Sequence, residues 1–106
     1  MKLLHIRPSS VADIDAAVDY LCEESIQAAQ SFLDAAEQAF TLIAQHPGLG
    51  SQRFAHLFPG VQLRSWPLTS HPYLVFYLET DHSIEVIRLL HIRRDIPAIL
   101  ADGASR

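Results

Sequence analysis

Apolar side chains return along this chain with two different periods. Val11, Ile14, Val18 and Leu21 recur at helical spacing, with Asp13, Asp15, Asp19 and Glu23 on the outer face. A second stripe of Ala29, Phe32, Leu33, Ala36, Phe40 and Ile43 predicts another helix over 26–45. From Val61 the period falls to two, in "VQLRSW" (61–66), "YLVFYLE" (73–79) and "SIEVIRLLH" (83–91), which predicts three strands. Lys2 to Arg7 alternates weakly and predicts a short first strand at an edge.

The joints follow from local chemistry. Ser10-x-x-Asp13 fits a capping box, so the first helix is expected to begin near Val11 with acids in its first turn, at the positive end of the dipole. Glu24 and Ser25 break the helical pattern briefly, and so short a link predicts an antiparallel helical hairpin. "HPGLG" ends the second helix, because Pro47 cannot continue it. Residues 51–60 read as an irregular connection, and Thr80 to His82 as a hairpin turn. Tyr73 to Leu78 is apolar on both faces, as an interior strand covered on both sides should be. After the last strand, "RRDIPAILADGASR" is expected to form a short turn or helix, with 101–106 as a frayed tail.

The order is β-α-α-β-β-β. It predicts an α+β fold in which an antiparallel helical hairpin packs on one face of a small, mainly antiparallel sheet. Residues 1–100 would form its single domain, since 106 residues suffice for one core.

Composition narrows the function. The longest apolar run is six residues, far below the roughly 20 that span a bilayer. "MKLLHIRP" is too short for a secretory signal, which points to the cytoplasm. The lone Cys22 agrees with a reducing compartment and is expected to pack as a small apolar filler. Residues 1–50 carry two basic residues against seven acids, and residues 51–106 six Arg against five acids. One Lys in the chain is too few for tracking phosphates, so non-specific nucleic-acid binding is not expected. No His pair stands at i,i+4 spacing, and the single H-x-x-E, His82 to Glu85, has no second His near it in the chain, so no metal or other cofactor is expected.

The basic residues gather near the end of the last strand, at Arg88, His91, Arg93 and Arg94. If Val61 and Leu63, and likewise Ile87 and Leu89, pack on the helices, then Arg64 and Arg88 emerge together on the sheet face left open. With Trp66 and Tyr77 beside them they would bind an anionic or carboxylate-bearing partner. The plain alternative is that each Arg pairs with a nearby acid and shields the sheet.

The segment 71–100, "HPYLVFYLETDHSIEVIRLLHIRRDIPAIL", preceded by "HPGLG" and "VQLRSW", resembles the ParE/RelE superfamily of bacterial type II toxins, the ParE branch above all. The likeness lies in a "P-x-x-G" element at Pro47 to Gly50, an "LR" strand at Leu63-Arg64 and the tyrosine-rich strand Tyr73 to Tyr77. The closing "[IV]-x-R-[IVL]-L-H-x-x-R-D" element matches Ile87 to Asp95 less its first spacing, with Arg88, His91, Arg94 and Asp95 in place.

The resemblance implies the toxin of a type II toxin–antitoxin system, inhibiting DNA gyrase and causing growth arrest. Arg64, Trp66, Tyr77, Arg88, His91, Arg93 and Arg94 would touch the target. It also implies a ParD-like antitoxin in a higher hetero-oligomer, docked on the second helix at Ala28, Phe32, Ala35, Ala39 and Leu42 or along the edge strand Lys2–Arg7. Two alternatives stand beside it. One is a RelE-like, ribosome-dependent mRNA endonuclease using Arg64, Arg88 and His91 as base and anion clamp; the other is a non-toxic relative that only binds an antitoxin. His46, His56, His71 and His82 fall in loops and are expected to be solvated bystanders.

Overall fold

The computed structural model describes residues 2–104, and the side chains of 2–102. Its elements are β1 (Leu3–Ile6), α1 (Pro8–Glu24), α2 (Ile26–Gln45), β2 (Leu63–Pro67), β3 (Tyr73–Glu79), β4 (Ser83–His91) and α3 (Ile96–Ala104). Single 3-10 turns at Pro47–Leu49 and Ala55–Leu57 interrupt the connection between α2 and β2. The sheet has the order β1-β4-β3-β2; β1 runs parallel to β4 and the other pairs are antiparallel. The α+β architecture expected from the hydrophobic periods is the one observed.

The helices begin for different reasons than their sequences suggest. α1 starts at Pro8, whose fixed φ and missing N–H suit a first helical position. No side chain caps it and no acid lies in its first turn. The expected capping box is absent because both of its members face the sheet: Ser10 hydrogen-bonds Val86 and Asp13 pairs with Arg88. α2 is capped by Ser25, whose Oγ accepts from the Ala28 N–H at 2.9 Å. α3 is capped by Asp95, whose Oδ1 accepts from the Ala98 N–H at 3.3 Å. It continues to Ala104, into the stretch expected to fray, while residues 105–106 lie outside the described ones.

Both faces of the sheet are covered. On one, the helical hairpin buries Phe32, Ala35, Ala36, Ala39 and Ile43 against Val75, Tyr77, Ile84, Val86 and Leu89. Truncating a side chain such as Phe32 there would cost about 3–5 kcal/mol. The other face, expected to be open, is covered as well. Leu63, Phe76 and Leu90 are buried beneath α3 (Ile96, Leu100) and the irregular segment, with Phe54, Leu57 and Phe58 packed against them. Phe54 stands edge-on to Phe76 with ring centroids 5.4 Å apart. Cys22 is exposed rather than packed as a filler.

Strand parity decides where the arginines go. Leu63 turns toward α3, so its alternate neighbours Arg64 and Trp66 turn toward the hairpin side, the reverse of the expected assignment. In β4 the pairing shifts between Phe76/Tyr77: Phe76 opposes Arg88 while Tyr77 opposes Val86, leaving Ile87 as an extra residue. This bulge puts Val86 and Leu89 both on the hairpin face although they are an odd number of residues apart.

Candidate functional site

β1 ends opposite Val86, so the second half of β4 has no strand on that side. The start of α1 takes the place of one. Val86 O accepts from the Arg7 N–H at 2.9 Å and from Ser10 Oγ at 3.0 Å, and Ile87 O accepts from Ser9 Oγ at 2.7 Å. Asp13 completes the series. Its Oδ2 accepts from the Leu89 N–H at 2.9 Å and from Arg88 Nε at 2.8 Å, and its Oδ1 from Arg88 Nη2 at 2.8 Å. A bidentate pair of this kind is planar, directional and short. The bond to Asp13 pushes the Arg88 pKa up, against the opposing effect of partial burial.

Arg64 is held elsewhere. It opposes Tyr77 across β2 and β3, while Arg88 opposes Phe76, the adjacent residue of β3. The two arginines therefore leave the sheet on opposite faces. They do not meet, and the convergent pair expected on an open face is not formed. Arg64 Nη1 donates to Gly50 O at 2.9 Å. Tyr77 is fully buried; its Oη donates to Pro47 O at 2.7 Å and accepts from the Gly50 N–H at 3.1 Å. Burial raises the Tyr77 pKa, and the Gly50 hydrogen bond and the Arg64 charge oppose that rise. Together these groups pin the Pro47–Gly50 turn to the sheet. A Cβ at Gly50 would overlap Tyr77 Oη, which explains a glycine there.

The basic turn after β4 is more accessible. Arg93 and Arg94 are exposed, and His91 is half-buried. His91 Nδ1 accepts from the Arg93 N–H at 3.0 Å, which places the proton of a neutral ring on Nε2. Its ring stands edge-on to Tyr73 with centroids 5.0 Å apart. Burial, and the nearby Tyr20, raise the pKa of the Tyr73 phenol. Tyr73, His91 and Arg94 line one side of a cleft of 440 Å³, with Ala17, Tyr20 and Leu21 of α1 on the other.

The structure thus separates the expected target set. Arg93 and Arg94 share an exposed turn with His91; Trp66 is half-buried beside the hairpin core; Tyr77 is sealed in it. Of the residues expected to hold an antitoxin, Phe32, Ala35 and Ala39 are buried under the hairpin, and only Ala28 and Leu42 keep partial exposure. The alanines bring α2 onto the sheet, while Leu42 lines a shallow depression on α2 with Asp34, Glu37, Gln38 and Thr41. β1 does lie at the sheet edge, as expected. His71 is no solvated bystander: it is half-buried, hydrogen-bonded to Ser31 Oγ at 3.0 Å and edge-on to Phe32. Asp13 was expected in a capping box and Gly50 in the P-x-x-G turn, and neither was expected to hold an arginine. An acid facing inward from the first helix, where the apolar stripe lies, was the available signal for Asp13.

Among the described residues no group of three or more His, Cys, Asp or Glu side chains is placed to hold a metal ion, and no helix is long and apolar enough to cross a membrane. The site offers cations and aromatic surface for contact. It does not assemble an arginine pair around a shared anion.

Fold and site together define a small α+β domain, a helical hairpin laid on a mixed sheet with a basic turn closing the last strand. The family model for the ParE toxin of the type II toxin–antitoxin system parDE matches residues 4–96. This chain belongs to the ParE toxin family. Its fold is also similar to a solved chain described as the chromosomal ParDE TA system from P. aeruginosa. That likeness has a TM-score of 0.63 at 22% identity and covers 86% of this chain and 96% of the other. A search of curated proteins found no match to this sequence.

Proposed function

We propose that this toxin acts by binding a protein target, DNA gyrase, and that a cognate ParD-like antitoxin neutralises it in a hetero-oligomeric complex. Family membership supports the toxin and the antitoxin. The observation that carries the choice of a protein target over RNA cleavage is the state of the arginines. Arg88 is clamped by Asp13, Arg64 is bonded to Gly50, and the two lie on opposite faces of the sheet. Phosphoryl transfer needs donors aimed together at one developing charge. Contact with gyrase falls to the exposed Arg93 and Arg94, with His91 beside them, while Arg64, Arg88 and Tyr77 hold the surface in shape.

Induced expression in bacteria carrying a DNA-damage reporter tests this. Growth arrest with reporter induction, relieved by the antitoxin gene encoded beside the toxin, is the expected result. Arrest with rapid loss of translation and no reporter signal would transfer the toxin to the ribonuclease class.

A further inference from the structure

The helical hairpin carries charge of one sign. Residues 8–45 contain seven carboxylates and no Lys or Arg. Arg88 neutralises Asp13, but among the described residues Asp15, Asp19, Glu23, Glu24, Asp34 and Glu37 are exposed and join no ion pair. Such a field attracts cationic partners and repels acidic ones. Exposed apolar side chains, Val11, Tyr20, Ile26 and Leu33, stand among these acids.

The cleft beside α1 gives this surface a place to hold something. Its 440 Å³ falls in the range of pockets that bury ligand-sized groups. Small side chains, Ala16 and Ala17, keep the α1 wall low, and Leu21, Leu89 and Tyr73 supply apolar surface. Asp13, held by Arg88, marks one end of the α1 wall and Glu24, unpaired among the described residues, the other, eleven residues along the helix. That is roughly 16 Å of helix, the span of about five extended residues. Glu24 also stands at the C-terminal end of α1, where the helix dipole favours a cation.

We propose that this cleft receives a segment of the antitoxin that seats one large apolar side chain against Leu21, Tyr73 and Leu89 and lays flanking Lys or Arg side chains along the acids of α1. The inference rests on the antitoxin reading above and adds the place and the chemistry of contact. Arg94, the one unpaired cation among the described lining residues, stands with the turn after β4 rather than on α1. The basic flank therefore follows α1 toward Glu24. An acidic segment would meet the hairpin's unpaired carboxylates along the whole approach.

Two labelled peptides test this, one with a Trp flanked by Lys and the other with Glu in place of every Lys. Fluorescence anisotropy with the full chain should show the Lys peptide binding at least about tenfold more tightly at low salt, and the gap should narrow at high salt. Ala16→Trp, at an exposed position, should close the cleft and abolish binding without lowering the melting temperature. Glu24→Lys should weaken binding several-fold. Equal affinity for both peptides, or an Ala16→Trp protein that binds like the parent, would overturn the proposal. In cells, an antitoxin that neutralises parent and Ala16→Trp toxin equally would remove the cleft as its seat and leave the antitoxin reading intact. Failure of the paired antitoxin to neutralise even the parent would remove that reading itself.

Discussion

Asp13 and Arg88, 75 residues apart in the chain, join α1 to β4 through two hydrogen bonds of 2.8 Å, and the same carboxylate accepts the Leu89 N–H. The pair is largely shielded, with side-chain exposures of 12% and 24%. Removing Asp13 leaves a guanidinium and a backbone donor without their acceptor. Asp13→Ala should therefore cost about 2–4 kcal/mol in urea unfolding. Arg88→Lys should recover little of what Arg88→Ala loses, because an ammonium cannot reproduce the two-pronged contact. A loss for Asp13→Ala below the scatter of the measurement would show that α1 is held at β4 by packing alone.

The turn at Pro47–Gly50 makes a second prediction. Tyr77→Phe strips the hydroxyl that serves Pro47 O and the Gly50 N–H, at a cost of about 1–3 kcal/mol. Gly50→Ala forces a methyl group into that same hydroxyl and should cost a similar amount. The two changes share one contact, so they should not add. Combined, they should destabilise clearly less than the sum of the single changes, as chemical denaturation will show.

Glu85 gives the expected pH dependence. Its carboxylate accepts from His5 Nδ1 at 3.0 Å, Ser83 Oγ at 2.8 Å and Arg7 Nε at 3.2 Å. The His5 bond does most to lower its pKa from the usual 4.5 to about 2; Ser83 and then Arg7 add to it, and burial opposes them. A carboxylate with a depressed pKa stabilises the fold fully above its unfolded value and loses that contribution as pH falls through its folded value. Glu85→Gln should thus lower the melting temperature at neutral pH. The gap from the parent should shrink below pH 4.5 and close near pH 2. A gap that stays constant over that window would mean that the charge of Glu85 does not contribute.

Much of this fold could be read in the sequence, and the site much less. Ser25 marked the joint of the hairpin, the run from Tyr73 to Leu78 marked an interior strand, and Ser83 to His91 was bounded correctly at both ends. These depend on local chemistry and on a period that the chain displays directly. The direction of the arginines depends on two things that it does not display. One is which face of Leu63 is inward, settled by α3 and the segment 51–60 arriving from elsewhere to bury Phe76 and Leu90. The apolar residues Phe54, Leu57, Phe58, Ile96, Ile99 and Leu100 needed such a surface and were the overlooked clue. The other is the extra residue at Ile87, a tertiary feature that inverts parity halfway along β4: it turns Val86 to the hairpin and Ile87 away from it, while Arg88 stays on the face opposite Leu89, as expected.

Arg93 and Arg94 should separate stability from toxicity. Both are exposed, and neither joins an ion pair among the described residues. Changing either to Ala should move stability by no more than about 0.5 kcal/mol while weakening growth arrest. Arg64→Ala and Arg88→Ala should reduce toxicity only together with stability, which melting curves run beside the toxicity assay will reveal.

A supercoiling assay with purified gyrase and the purified chain, run beside mRNA cleavage on programmed ribosomes, decides between a protein target and RNA. A gyrase target requires that the chain inhibits supercoiling, that Arg93→Ala and Arg94→Ala proteins must be supplied at higher concentration for the same inhibition, and that the mRNA stays whole. Undisturbed supercoiling with message cut on the ribosome would contradict it.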